Sequence, residues 1–338
     1  MKSVICQRMP LALRYIEPQE IDTYLAQSGE NTVCVIGYGM RERAVKADCP
    51  VIWVNMPVLD SAAVYEVWTS DKSLRRHQDG VVTGASNEDF FFGCMSIQPH
   101  STENFSGAIQ RAYSDIFAFL QYNAYPHLLR VWNYFPEINA IEDNMERYRS
   151  FSIGRQEAFV RYGRIVEESP AACALGSHGG ALVIYFLAAR SPGKQIENPR
   201  QISAYHYPEQ YGPRSPAFSR ATLAFADATP TLFISGTASI LGHATVHPGS
   251  VNLQTHETLN NIRAVIEQAA QGGFKIRDDE RGLALKAYVR HAEHMVEVRD
   301  IIRDEWGAQI QLIVVQADIC RVDLLVEIEA VCWGAGSE

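Results

Sequence analysis

Asp318-Ile-Cys-Arg-Val-Asp-Leu-Leu-Val-Glu-Ile-Glu-Ala-Val-Cys332 reads, from Leu324 onward, as a buried strand: it is apolar, β-branched and continuous. Two carboxylates, Glu327 and Glu329, sit inside it, and residues two apart on a strand point to the same face of a sheet. A carboxylate facing an apolar interior is costly to ionise, so its pKa rises. A carboxyl group kept protonated near neutral pH can serve as a general acid. From the strand alone, the commoner arrangement is an edge strand with its acids in water.

Upstream, the order of elements is played twice. Strand character falls on residues 4–16, 31–37, 50–58 and 63–69, followed by a charged, turn-like 70–80 segment. A strand over 89–97 leads to a helix over 102–121, with Ser101 or Thr102 as N-cap and Phe105, Ile109, Ala112, Ile116, Phe119 and Leu120 on one face. A strand at 128–134, a helix at 144–162 and a strand at 181–189 complete the first pass. The second pass has strands at 231–240, 285–289, 310–315 and 324–332 and helices at 254–271 and 292–306.

Gly93 and Gly236 occupy matching places 143 residues apart, and the same offset sets Ile184 and Phe186 against Glu327 and Glu329. This predicts two copies of one strand–helix–strand–helix–strand unit. The joint lies in the turn-rich Arg190-Ser-Pro-Gly-Lys-Gln-Ile-Glu-Asn-Pro199, so the units are residues 1–192 and 193–338. The first copy then forms a wall and the second carries the chemistry; a decayed repeat with both copies inert fits the same pattern.

Composition narrows the class of function. The 338 residues are 47% hydrophobic and 20% charged, as in globular domains. No apolar run approaches the roughly 18 residues of a membrane span, and the N-terminus has no signal-peptide core, which points to a cytoplasmic protein. A net charge of −9 without a basic block argues against nucleic acid. Seven cysteines without a CxxC pair argue against a disulfide framework or a zinc site. His243, His247 and His256 cluster, but no Asp, Glu or Cys completes a ligand pattern, so no metal is expected. Gly176-Ser-His-Gly-Gly180 lacks both the Gly-x-Ser-x-Gly order and a Walker lysine, and reads as a turn.

Ile234-Ser-Gly-Thr-Ala-Ser-Ile240, Glu257-Thr-Leu-Asn-Asn-Ile262 and Val326-Glu-Ile-Glu-Ala330 resemble the YjgF-like (reactive-intermediate deaminase) fold. Ser203-Ala-Tyr-His-Tyr-Pro-Glu-Gln-Tyr-Gly-Pro-Arg-Ser-Pro216, Gly242-His-Ala-Thr-Val-His-Pro-Gly249 and Ala317-Asp-Ile-Cys-Arg321, with the doubled unit, resemble the chorismatases. The resemblance runs over nearly the whole chain and is weakest before residue 80. It implies an α+β fold of two tandem YjgF-like (chorismate-mutase-like) domains, each a mixed sheet with helices on one face. It implies cleavage of chorismate to pyruvate and 3- or 4-hydroxybenzoate, or to a dihydroxycyclohexadiene acid, without a cofactor. Glu327 would be the catalytic carboxyl, protonating the terminal carbon of the enol ether.

Chorismate has two carboxylates, so two cationic clamps are expected, and arginine meets a carboxylate bidentately. The candidates are Arg155, which follows a glycine, Arg214, between two prolines in the tyrosine-rich loop, and Arg321 beside Cys320. Tyr205, Tyr207 and Tyr211 offer hydroxyls and ring walls, with Tyr148 contributed by the first half. By the resemblance, the positions of Ala238 and Cys320 vary with product: a cysteine accompanies hydroxybenzoate formation, and alanine rather than glycine departs from the strict 3-hydroxybenzoate pattern. A mixed product follows. The competing readings are an enamine or imine hydrolase and a non-catalytic ligand binder on the same fold. The expected assembly is a monomer or a small homo-oligomer, up to the trimer of single-domain relatives.

Overall fold

The computed structural model describes residues 10–39, 45–61, 63–98, 103–225, 229–277, 279 and 282–335. Strand expectations before residue 10 and the proposed caps Ser101 and Thr102 lie outside them.

Three sheets follow one another along the chain. The first comprises β1 (Ala12–Ile16), β2 (Thr32–Gly39), β3 (Val51–Val54) and β4 (Ala63–Thr69), in the order β1-β4-β2-β3, with helix α1 (Ile21–Ser28) on one face. The second comprises β5 (Arg75–Asp79), β6 (Val82–Ser86), β7 (Phe90–Ile97), β8 (His127–Pro136), β11 (Ala171–Ser177) and β12 (Leu182–Ala189), in the order β11-β8-β12-β7-β6-β5. Helices α2 (Phe105–Tyr122) and α3 (Arg147–Arg161) cover one face of it, and a small hairpin, β9 (Ile141–Glu142) and β10 (Met145–Glu146), precedes α3. The third comprises β13 (Lys194–Ile196), β14 (Ala221–Ala224), β15 (Thr231–Ala238), β18 (Leu283–Val289), β19 (Gln311–Gln316) and β20 (Val326–Trp333), in the order β13-β14-β15-β20-β18-β19. Helices α4 (Val251–Gln271) and α5 (Met295–Trp306) cover it, and β16 (Ile240–Leu241) and β17 (Ala244–Thr245) form a short ribbon after β15.

The second and third sheets have the same strand order and the same parallel pair, β8 with β11 and β18 with β19. This is the expected α+β architecture of mixed sheets with helices on one face. The first sheet reproduces four of those strands, again with one parallel pair, β2 with β3. Residues 1–192 therefore contain two sheets.

The structure differs from expectation in three places. Residues 75–79 form an edge strand, because Arg75-Arg76-His77-Gln78-Asp79 pairs with β6; charge on an edge strand blocks further pairing. Ala171-Ala-Cys-Ala-Leu-Gly-Ser177 is a strand although its residues are small, because it is wedged between sheets: Ala172 N donates to Ser235 Oγ at 2.8 Å and Ala171 N to Thr222 Oγ1 at 2.9 Å. Helix α2 is capped by Asn104, whose side chain accepts from Gly107 N at 2.9 Å.

The repeat offset also needs correcting by one residue. Ile184 and Phe186 face α2 and α3, whereas Glu327 and Glu329 face away from α4 and α5, which are met by Val326, Ile328 and Ala330. A one-residue slip moves every side chain to the opposite face. A register shift in β15 between Ile234 and Thr237 produces that slip in the glycine alignment. Cross-strand pairs identify the true counterparts: Tyr38 lies opposite Val64, Tyr134 opposite Val183, and Tyr288 opposite Glu327.

The faces free of helices meet at a common centre. Tyr134 and Tyr288 share a hydroxyl–hydroxyl hydrogen bond at 2.7 Å, and Tyr38 and Tyr185 one at 2.8 Å. Lys286 Nζ, 1% exposed, pairs with Glu66 of the first sheet at 2.6 Å and Glu329 of the third at 3.0 Å. Arg130 of the second sheet reaches Glu329 at 2.5 Å. Two buried cations thus balance two buried anions, which a low-dielectric interior demands.

Candidate active site

A cleft of about 460 Å³ opens where the second sheet's α3 and β10 face β15, β20 and the 204–218 loop, and a recess of about 40 Å³ extends inward from it. That volume suits a small-molecule ligand. Glu327 lies at the junction of cleft and recess. Strand β20 places it, and the antiparallel register puts it opposite Ala238 on one side and Tyr288 on the other.

Glu327 is 4% exposed. Burial pushes its carboxyl up to about 8, the neighbouring Glu329 carboxylate adds to the rise, and Arg130 opposes it. Two residues on, burial also penalises ionised Glu329, but Lys286 and Arg130 overcome that and hold it below the usual range. Trp132 Nε1 donates to the same carboxylate at 2.9 Å. One strand face thus carries two carboxyls of opposite character: a protonated acid on the cleft and a neutralised anion in the core.

Apolar and weakly polar groups surround the acid. Burial drives the Cys320 thiol up to about 12, with Glu327 adding to the rise, so it remains a thiol beside the carboxyl. Burial likewise raises Tyr148, which lines both cleft and recess. Gly236 lies under the carboxyl, and a Cβ there would collide with Glu327 Oε1.

Arg155 projects from α3 into the recess, 3% exposed, its guanidinium 5.1 Å from the Tyr113 ring centroid and 5.4 Å from that of Phe159. Its Nε and Nη2 find no acceptor among the described residues. A buried cation with free donors is an anion-binding group held ready. Arg321 lines the mouth, stacked 4.0 Å over Tyr211, and donates to His243 O at 2.9 Å. Tyr211 lines the cleft and bonds His243 Nδ1 at 3.2 Å.

Of the residues expected at a site, Glu327, Cys320, Tyr148, Tyr211, Ala238, Arg321 and Arg155 come together here. Arg214 and Tyr205 do not line the cleft: Arg214 is exposed, and the Tyr205 ring packs edge-on against His206. Tyr207 lines the wall instead, and so does Arg220, which sequence reasoning missed. Arg220 is 4% exposed and donates to Ile202 O at 2.7 Å and Tyr207 Oη at 2.8 Å, while its Nε finds no acceptor among the described residues. The one signal for it was an arginine abutting the short strand β14, whose small residues hid the strand as well.

The described residues contain no cluster of metal-ligating side chains, and no helix is long and apolar enough to cross a membrane.

Known proteins share this organisation. Residues 66–188 match the family model described as chorismatase FkbO/Hyg5-like, N-terminal. A Streptomyces hygroscopicus protein named 3-hydroxybenzoate synthase is 38% identical over 83% of this chain and 85% of its own. A Streptomyces rapamycinicus protein named chorismatase is 36% identical over 84% of this chain and 86% of its own. A chorismatase crystal structure superposes with a TM-score of 0.88 at 32% identity, covering 96% of this chain and 99% of that one. Relatedness at that level along most of both chains, with a shared fold, means that this chain belongs to the chorismatase family.

Proposed function

We propose that the protein cleaves chorismate to pyruvate and hydroxybenzoate, a mixture of the 3- and 4-isomers, with Glu327 as the acid. The observation that carries this is a carboxyl held protonated up to about pH 8 at the junction of a cleft and a recess that arginines line. Glu327 donates its proton to the terminal methylene of the enolpyruvyl ether. The oxocarbenium ion that forms is captured by water or by a neighbouring ring hydroxyl, and the ether bond to the ring breaks. Chorismate has the same composition as pyruvate plus hydroxybenzoate, so that outcome consumes no water, oxidant or cofactor. Formation of the dihydroxycyclohexadiene acid would consume one water.

Arg155 in the recess and Arg220 in the cleft wall are the clamps for the two substrate carboxylates, since both are buried with donors to spare. Arg321 holds the loop that carries Tyr211 against the 243–245 turn and adds positive charge at the mouth. Cys320 and Ala238 border the acid and bias which product leaves. Residues 193–338 form the catalytic unit, and residues 1–192 supply α3 and the core that supports it. The cleft is complete within one chain, which favours a monomer over a trimer. A reducing, cytoplasmic setting fits the six described cysteines, all of them free thiols.

Incubation of the purified protein with chorismate alone, with pyruvate assayed and ring products resolved by chromatography, tests this reading. Pyruvate with 3- and 4-hydroxybenzoate is expected. Pyruvate with a non-aromatic diol would keep the acid role and overturn the use of Cys320. Absence of pyruvate would overturn the assignment.

A further inference from the structure

The charged centre lies behind the acid rather than in the cleft, and the reaction as written makes no use of it. Its layout is nonetheless specific. Glu329 sits on the same face of β20 as Glu327, one pleat repeat away, and three donors fix its carboxylate: Arg130 at 2.5 Å, Trp132 at 2.9 Å and Lys286 at 3.0 Å. Lys286 is held in turn by Glu66 at 2.6 Å, and Glu66 accepts from Trp68 Nε1 at 2.7 Å and Tyr38 Oη at 3.0 Å. With Lys286 and Arg130 against Glu66 and Glu329, the centre is neutral as it stands. An ionised Glu327 would add a third carboxylate with no cation of its own, beside one that cannot move away.

We propose that Glu329 is a positioning residue for the acid: its immobilised carboxylate keeps the proton on Glu327, and the N-terminal sheet takes part by committing Lys286 to Glu66. This rests on Glu327 being the acid that cleaves chorismate. It assigns the first sheet, which lines neither cleft nor recess, a part in the reaction.

The groups that face Glu327 are consistent with this. Tyr148 and Arg155 of α3, Cys173 of β11, and Cys320 and Arg321 before β20 share the cleft or recess with it, as does Arg220 across the wall. The first three and Cys320 either carry no charge at neutral pH or, for Arg155, are set to meet the substrate. Glu329 pushes toward the protonated form and Arg130 pulls against it, both from the core side. Removing either therefore has opposite consequences. Replacing Glu329 leaves Lys286 and Arg130 unopposed near Glu327 and favours its anion. Replacing Glu66 releases Lys286 from one partner and acts in the same direction, more weakly because of distance. Replacing Arg130 favours the protonated form.

The test is the pH profile of kcat for pyruvate release from chorismate, from about pH 6 to about pH 9.5, in the wild type and in Glu329→Gln, Glu66→Gln and Arg130→Gln. The expected result is a downward move of the alkaline limb by roughly one unit in Glu329→Gln, a smaller downward move in Glu66→Gln and an upward move in Arg130→Gln. KM should change little in each. A merely structural role would lower melting temperature and active fraction but leave all midpoints where the wild type has them, and that result overturns the proposal. Should Glu329→Gln not fold, Glu66→Gln and Arg130→Gln still decide by the opposite signs of their shifts. If the wild type releases no pyruvate, the chorismate assignment fails and not this one alone; an infrared titration of the Glu327 carboxyl band, identified by its loss in Glu327→Gln, then reads the same shifts without substrate.

Discussion

The carboxyl of Glu327 rests directly on Gly236, and the space a Cβ would take at Gly236 is the space Oε1 occupies. The glycine is thus required by the acid's position rather than by backbone conformation. Gly236→Ala should displace the carboxyl from the cleft and lower kcat by about two orders of magnitude, the scale of losing a well-placed general acid. Circular dichroism should show an intact fold, and steady-state pyruvate release checks the rate. Activity within a few-fold of wild type would mean that the carboxyl can move without cost.

Glu327→Gln removes the proton donor and keeps the shape. Turnover should fall by about 10²–10⁴-fold, with chorismate affinity by calorimetry retained within a few-fold. In the wild type, kcat should decline as pH rises through about 8, because the acid must hold its proton. Full activity in the variant would sink the mechanism.

The same carboxyl has a stability consequence. Its pKa is raised on folding from 4.5 to about 8, so the folded state binds the proton more tightly than the unfolded state. The favourable contribution is fully present below about pH 4.5 and is lost as pH rises through about 8. Above that point the buried acid costs stability on the order of 4 kcal/mol. Glu327→Gln should therefore melt higher than wild type at pH 9, and by less at pH 6. Equal differences at both pH values would mean that the carboxyl titrates normally.

Arg155 and Arg214 make a contrasting pair. Arg155→Gln removes a buried cation whose Nε and Nη2 lack acceptors among the described residues. KM should rise by about a hundredfold, on the scale of losing a charge-assisted carboxylate contact. Melting temperature should hold or rise, since a buried charge without full compensation is destabilising. Arg214 is exposed outside the cleft, and Arg214→Gln should leave KM within about twofold, as surface substitutions generally do. Steady-state kinetics on both variants separates them.

Product choice should respond to the residues that border the acid. Cys320→Ala is expected to shift output from hydroxybenzoate toward the non-aromatic diol, and Ala238→Gly toward the 3-isomer. Chromatography of the ring products with pyruvate as the common denominator measures both. Unchanged ratios would remove these positions from control of the outcome.

Several of these features were legible in the chain before any coordinates. The strand Leu324–Cys332 with two acids on one face, the α2 and α4 helices and the doubled order of elements all follow from hydrophobic period, which is a local property of sequence. The resemblance then brought Cys320, Tyr211 and Ala238 to the same site. Face and partner, however, are not local. Whether Glu327 looks across at Ile184's place or Val183's turned on one register shift in β15, which sequence spacing cannot show. Glu327 and Glu329 read alike in the chain, and they differ only because Arg130 and Lys286 arrive at one of them from two other strands. Arg220 rather than Arg214 entered the cleft because the loop turns back into β14 before it ends, burying one arginine and leaving the other in water. The sequence by itself determined the elements and the presence of an unusual acid. The tertiary structure decided its charge state, because that depends on which charges lie nearby in a medium that screens them poorly.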